Sequence, residues 1–248
     1  MKRAFSKAKI ESEIASRFGD AFKLHEKTPA DVISTGIPAV DDLSGGLPRG
    51  AITEIFGPAS SGRTSFMLST LAYATNHEEV CAVIDTNGFF DPLSAANASV
   101  ALEQLLWIRC NAKIEHAFKA TDLLLQSGGF GLIFLDLGDV AGKEARRIIS
   151  SWWYRFRRAV ENTPTAFVVI AEESCVRSCA SLALEMKKEE ELWSAVSTSF
   201  SWPQQNLSPV TFNPTHSNLL TGMQLRVERQ KPVQLTAREI QFETRISY

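Results

Sequence analysis

Cysteine is scarce in this chain of 248 residues: there are four, Cys81, Cys110, Cys175 and Cys179, with no CxxC pair. Cys175 and Cys179 are four apart, which would stack them on one helical face, but no histidine or second pair completes a zinc set. Reduced thiols of a cytosolic protein are the expectation. A charge excess is also missing, with 26 basic and 28 acidic residues and a net charge of −2, so no global basicity calls for nucleic acid. No apolar run reaches the roughly 18 residues of a membrane span. The start, MKRAFSKAKIESEIASRF, is basic but lacks a signal-peptide apolar stretch. A cytoplasmic location is therefore expected. With 14 glycines and 10 prolines the chain is neither collagen-like nor low-complexity. His25, His77, His116 and His216 have no serine or carboxylate at motif spacing, so no hydrolase triad is indicated.

What is present is apolar residue at 44%, enough for a substantial core. Residues 8–26 place Ile10, Ile14, Phe18 and Phe22 at a four-residue step, which predicts a helix with one sticky stripe. Residues 28–50 read as a turn-rich lead-in. Continuous apolar runs predict strands at 51–56, 80–85, 105–110, 131–136 and 165–171. Between them, helices are expected from Thr64 to Asn76, in DPLSAANAS, over 113–127 and over 143–161. Continuously apolar strands separated by helices predict a parallel sheet covered on both faces, an α/β fold. After residue 175, SLALEMKKEE and GMQLRVERQ read as strands without a full helix between them, and an antiparallel continuation is expected. Residues 197–221, polar and with three prolines, read as an exposed loop.

Gly57-Pro58-Ala59-Ser60-Ser61-Gly62-Arg63-Thr64 lies between a predicted strand and a predicted helix, the context that G-x-x-x-x-G-K-[ST] requires. In that setting backbone N–H groups wrap phosphates at a helix N-terminus. Arg63 stands where the lysine belongs. Its planar fork is larger than an ammonium, though it can hold phosphate oxygens bidentately. Gly57 through Ser65 form the expected nucleotide-binding segment. Thr64 would offer its hydroxyl to Mg²⁺, with Asp136, ending the apolar run LIFLD, as its candidate partner through water. ATP and Mg²⁺ are the expected cofactors.

VISTGIPAVDDLSGGLPRGAITEIFGPASSGRTS resembles the core of the RecA recombinase family, in which STG, a D-L turn with GGLP-G, a strand and the phosphate loop follow in this order. VCAVIDTNGFFDP is similar to the next RecA strand and its acidic loop, GLIFLD to the Walker B strand, TAFVVIAEE to the switch strand, and SCASLALEMKK to the strand after it. KIESEIASRFGDAF is similar to the N-terminal helix through which RecA protomers pack. The resemblance implies a RecA-like phosphate-loop core over 31–248 with antiparallel C-terminal strands, and a helical oligomerisation segment over 1–30.

The departures from the RecA pattern point one way. The glutamate that activates water aligns with Asn87, and an amide cannot accept a proton as a carboxylate does. The adenine-stacking aromatic aligns with Ser94, while Asp91 is retained as a nucleotide contact. The γ-phosphate-sensing glutamine aligns with Glu172. Both DNA-binding loops, after Asp136 and between Glu173 and Ala180, are reduced to a few residues, and the C-terminal domain has no counterpart. No catalytic residue is assigned. The pattern is similar to the RecA-like accessory subunit of bacterial translesion-synthesis cassettes (ImuA type). That likeness implies a damage-induced, SOS-linked repair role, partnership with a Y-family-like or an error-prone replicative polymerase, possible contact with single-stranded DNA, and weak or absent ATP hydrolysis. Two other readings stand beside it: a divergent DNA-dependent ATPase of homologous recombination, and a self-assembling regulatory protein.

Two further features have two readings each. Ser151 to Arg158 interleaves arginines with aromatics, as a single-stranded DNA surface would. Helix geometry instead puts Trp152, Phe156 and Val160 on one core-facing side and leaves the arginines solvated. Arg229 and Lys231 fall near RecA's paired lysines that reach a neighbour's nucleotide, or are ordinary surface charge.

Overall fold

The computed structural model describes residues 31–138, 140, 150–195, 218–232 and 238–245. The expected N-terminal helix, the loop 197–221 and the first part of the helix expected over 143–161 lie outside the described residues.

The lead-in contains more order than its turn-rich composition suggests. β1 (Val32–Ile33) pairs antiparallel with β2 (Leu47–Pro48), and between them lies α1 (Pro38–Ser44). Pro38 opens this helix with a pre-set φ, and Gly45 closes it in the left-handed conformation at φ 76°. The Asp41 carboxylate accepts from the Thr35 N–H (2.9 Å), the Thr35 hydroxyl (2.8 Å) and the Ser34 hydroxyl (2.5 Å). The STG segment is therefore locked onto the helix that follows it.

The central sheet has eight strands. Those of its parallel part are β3 (Ala51–Phe56), β4 (Cys81–Asp85), β5 (Leu105–Arg109), β6 (Leu132–Leu137), β7 (Ala166–Ala171) and β8 (Ala180–Ala195). β9 (Asn218–Lys231) and β10 (Glu239–Arg245) complete it, and the spatial order is β10-β9-β8-β3-β7-β6-β4-β5. Helices α2 (Arg63–Asn76) and α3 (Pro92–Asn97) follow β3 and β4, and α4 (Ile114–Ser127) and α5 (Ser150–Val160) follow β5 and β6. Every residue of β4 and β7 is buried, which is why both strands read as unbroken apolar runs. One face carries a core of Ile55, Phe66, Leu71, Val83 and Phe134, and the other a core of Ile52, Ile84, Phe118, Phe156 and Phe167. No described helix is long and apolar enough to cross a membrane.

The reversal of strand direction comes one strand later than expected. β8 runs parallel to β3, with Phe56 opposite Glu185, and only β9 and β10 are antiparallel. The chain thus passes from β7 across β3 to β8 through 172–179, a connection holding one 3₁₀ turn (Arg177–Cys179) where parallel crossovers usually hold an α-helix. Such a stretch needs partners for its backbone, and Glu54 supplies them from the middle of β3. Its carboxylate is 1% exposed and accepts from the Cys175 N–H (2.5 Å), the Val176 N–H (2.7 Å) and the Ser174 hydroxyl (2.8 Å).

α5 faces the sheet one position away from the expected phase. Trp153, Phe156 and Val160 are buried, and Trp152 is only half-buried, its ring beside Phe118 and under the Arg155 guanidinium. Arg155 in turn pairs with Asp122 of α4 (2.5 Å). Phe156 sits edge-on to Phe118, Trp153 and Phe167 with centroids 5.5 to 5.9 Å apart. Tyr154, Arg157 and Arg158 are exposed, so the aromatic run does not present itself as one stacking surface.

Candidate phosphate-binding site

The C-terminal ends of β3, β4, β6 and β7 lie side by side, with Asp85 opposite Asp136 and Phe56 and Leu137 both opposite Ala171. In an open parallel sheet this edge is where ligands bind. Gly57–Gly62 leaves β3 there and turns into α2. A methyl group on Gly57 would lie 2.1 Å from the Met186 carbonyl oxygen, so only glycine lets the loop pass β8. Gly62 has φ 89°, and a methyl group there would meet Leu225 at 2.4 Å. Ser60 is also left-handed, at φ 60°.

The loop ends on a helix without a side-chain cap and without an acidic residue in its first turn. Its leading N–H groups therefore keep their pull on an anion. Ser61 is 1% exposed and its Oγ, which lies against Gly57, has no hydrogen-bond partner. An orphaned buried hydroxyl inside a loop of this shape is what a bound oxyanion would satisfy. Pro58, Ala59, Ser60 and Thr64 are exposed, and Ser65 is half-buried. The cradle thus fits phosphate.

The fit to a divalent cation is poorer. Arg63 does not lie over the loop; its Nη1 donates to the Gly138 carbonyl just beyond β6 (3.1 Å). Asp136 Oδ1 accepts from the Gly138 N–H (2.8 Å). The exposed Thr64 hydroxyl and Asp136 are the oxygen donors present, and no cluster of three or more metal-ligating side chains occurs among the described residues.

The loop after β4 is organised by Asp85, which accepts from the N–H groups of Gly88 (2.7 Å), Phe89 (3.1 Å) and Phe90 (3.1 Å) and from Trp107 Nε1 (3.1 Å). Asn87 is half-buried within it, and the buried Thr86 hydroxyl has no partner. Asp91 caps α3, accepting from the Ser94 hydroxyl (2.6 Å), the Ser94 N–H (2.9 Å) and the Leu93 N–H (3.3 Å). The Ser94 hydroxyl, and then the two N–H groups, hold its carboxyl below the usual value. Glu172 is exposed at the end of β7.

Arg229 and Lys231 differ in their surroundings, the first buried and the second half-buried. Arg229 is buried and donates through Nη1 to the Leu43 carbonyl and through Nε to the Pro232 carbonyl (3.3 Å). Lys231 Nζ donates to the Arg177 carbonyl. Arg229 is therefore not surface charge; it ties β9 to the C-terminal end of α1. All four cysteines are free and buried. Burial pushes the Cys81 thiol up to about 12, with Glu79 adding to the effect. Burial and then the Glu54 carboxylate raise the Cys175 thiol further still. Glu54 was not among the expected site residues; its signal is a lone charge inside the apolar run AITEIF.

The model of the RecA N-terminal domain matches residues 5–146, more than half of the chain and all of the phosphate loop. The chain belongs to the RecA N-terminal domain family. It is 42% identical over 108 residues to Protein RecA of Ectopseudomonas oleovorans, covering 43% of this chain and 31% of that one. It is 36% identical over 139 residues to Protein RecA of Colwellia psychrerythraea (54% and 40%), and 37% identical over 138 residues to Protein RecA of a Methylobacterium (55% and 36%). The chain thus matches 31% to 40% of the length of these curated relatives. As a RecA-family chain it carries the α/β core with its mostly parallel sheet and antiparallel C-terminal strands.

Proposed function

We propose that this RecA-family protein binds a nucleoside triphosphate through Gly57–Ser65, turns it over slowly or not at all, and acts as a partner-binding accessory subunit in translesion DNA synthesis. The observation that carries this reading is the pairing of a preserved cradle with displaced chemistry. The glycines, the orphaned Ser61 hydroxyl and the open start of α2 suit phosphate. Asn87 offers an amide where water would need a proton acceptor, and Arg63 is committed to Gly138.

ATP supplies a leaving group when bound; this chain's residues would hold its phosphates and do little to activate water. Thr64 and Asp136 are the donors toward Mg²⁺ in this reading. Asp91 would reach the nucleoside only by giving up part of its role as helix cap. Partner binding is supported by Phe89 and Leu93, each 69% exposed on either side of Asp91, apolar surface that a second protein would cover. A Y-family-like polymerase or an error-prone replicative polymerase subunit is the partner class, within an SOS-type damage response in the cytoplasm. Self-association through residues 1–30 and contact with single-stranded DNA belong to the same proposal.

The test combines binding with turnover. A fluorescent ATP analogue should bind, ADP should compete, and phosphate release with Mg²⁺ should stay at background when single-stranded DNA is added. DNA-stimulated phosphate release that disappears in Arg63→Ala would favour the divergent recombinase instead. The particle mass of the protein mixed with the polymerase partner separates an accessory subunit from a protein that only self-assembles.

A further inference from the structure

We infer that Arg157, Arg158, Arg177 and Lys231 form a docking surface for an acidic segment of a partner protein. This goes beyond the reading above, which places apolar partner contact at Phe89 and Leu93. Arg157 and Arg158 are exposed in the last turn of α5, and Arg177 is exposed on the 3₁₀ turn of the connection 172–179. Two contacts bring these elements together. The Tyr154 hydroxyl lies 3.5 Å from the Ser178 hydroxyl, and Lys231 Nζ of β9 donates to the Arg177 carbonyl. Cys179 marks the middle of the group: burial raises its thiol, while the charge of Arg157, the Ser178 hydroxyl and the charge of Lys231 pull it back. Ala180, the next residue, pairs with Ile52 near the start of β3, whereas the phosphate loop leaves that strand after Phe56. The four cations thus gather toward the start of β3, away from the phosphate cradle.

Arg49, Arg155, Lys187, Lys188 and Arg226 each pair with a carboxylate. Among the described residues Arg157, Arg158, Arg177 and Lys231 pair with none, and Glu161, the acid closest to the first two in sequence, forms no ion pair either. The whole chain carries a net charge of −2, so a cluster of uncompensated cations runs against its composition. Guanidinium forks match carboxylates and phosphates alike, and the neighbouring surface decides between them. Single-stranded nucleic acid needs a row of exposed rings on which successive bases stack. Here Trp153 and Phe156 are buried and Trp152 lies half-buried under the Arg155 guanidinium, which leaves Tyr154 as the exposed ring of α5. The connection 172–179 closes its buried side on Glu54, so a ligand lies across its outer face and meets side chains alone. An extended run of Asp and Glu suits that face, with one carboxylate for each cation. Exposed ion pairs are individually weak, so several must act on one segment.

The experiment titrates a fluorescein-labelled oligoglutamate peptide, and separately a labelled oligothymidylate of equal charge, against the full chain at low salt. The peptide should bind more tightly than the oligothymidylate and lose about tenfold or more in affinity in Arg157→Glu/Arg177→Glu. Its binding should also weaken as salt is raised, since exposed charges are screened. Lys113→Glu/Lys119→Glu makes the same change of charge on α4 and should bind the peptide within about twofold of wild type. A thermal melt shows whether each variant folds. Should the reversal unfold the chain, Arg157→Gln/Arg177→Gln takes its place, with a loss of about threefold or more expected. Absence of peptide binding at low salt, or peptide binding that the arginine variants leave unchanged, overturns the inference. Tighter binding of the oligothymidylate, abolished by the same variants, overturns it too and makes the surface a nucleic-acid contact.

Discussion

The loop 57–62 and the connection 172–179 leave adjacent strands, β3 and β7, at the same height of the sheet, since Phe56 lies opposite Ala171. Their polar groups meet opposite fates. In 57–62 a buried hydroxyl has no partner, two residues are held left-handed, and the helix start is uncapped. In 172–179 the buried backbone N–H groups of Cys175 and Val176 and the Ser174 hydroxyl all end on the Glu54 carboxylate. A segment whose polar groups are satisfied internally has no call for a ligand, whereas one that leaves them unsatisfied stores a demand for one. The first is built to be completed from outside; the second is finished as it stands. This is a physical reason why the loop 57–62, rather than the connection 172–179, invites a ligand.

The largest effect should come from opening the finished segment. Glu54→Ala strands two buried N–H groups and should cost about 3 kcal/mol or more in urea unfolding. Glu54→Gln keeps an acceptor and should cost less than half of that. Equal losses from the two variants would mean that packing, not acceptor strength, closes the connection. Next comes the contact between the loop and β8. Gly57→Ala forces a methyl group onto the Met186 carbonyl and should destabilise by about 1–3 kcal/mol. Ser61→Ala sharpens the contrast, because it deletes a hydroxyl that makes no hydrogen bond. Its stability should stay within about 0.5 kcal/mol of wild type while binding of the fluorescent ATP analogue weakens. A large stability loss there would show that the hydroxyl is not idle.

The smallest effect concerns the connection after β4, which stands between the two extremes. Asp91 has its carboxyl lowered by the α3 cap, so the cap contributes at pH above the unfolded-state value near 3.8 and is lost as pH falls through the lower folded value. The protection of the Leu93 and Ser94 amides, taken relative to intrinsic exchange at each pH, should fall over that acidic window and hold constant above it. Asp91→Asn should flatten that fall.

Period and composition alone disclosed the parallel core, because strands buried on both faces carry nothing but apolar residues. The expected runs at 51–56 and 131–136 coincide with β3 and β6 to within one residue. The phosphate loop was legible for a related reason: its glycines and its position between strand and helix are local facts. Non-local facts were not. The seven-residue α1 hides in a lead-in rich in Gly and Pro, although Pro38 and Gly45 mark its two ends. Which tryptophan of α5 faces the sheet depended on packing against Phe118 and Phe167, contacts that no periodicity can report. Arg63 was visible as a departure from the lysine pattern, but its route to Gly138 depends on a fold contact 75 residues away in sequence. The buried Glu54 becomes intelligible only once the crossover from β7 to β8 is seen above it.

The two loop glycines press bare backbone against β8 at Met186 and against Leu225 of β9, and from Met186 onward β8 leaves β3 behind and pairs only with β9. At Gly57 the loop meets β8 backbone to backbone, and at Gly62 it meets the end of the Leu225 side chain, so the closer-packed and stiffer of the two contacts is the one at Met186. A substitution in the β8–β9 ribbon at Met186 or Leu225 therefore lies within contact distance of the loop 57–62, although both are more than 120 residues away in sequence.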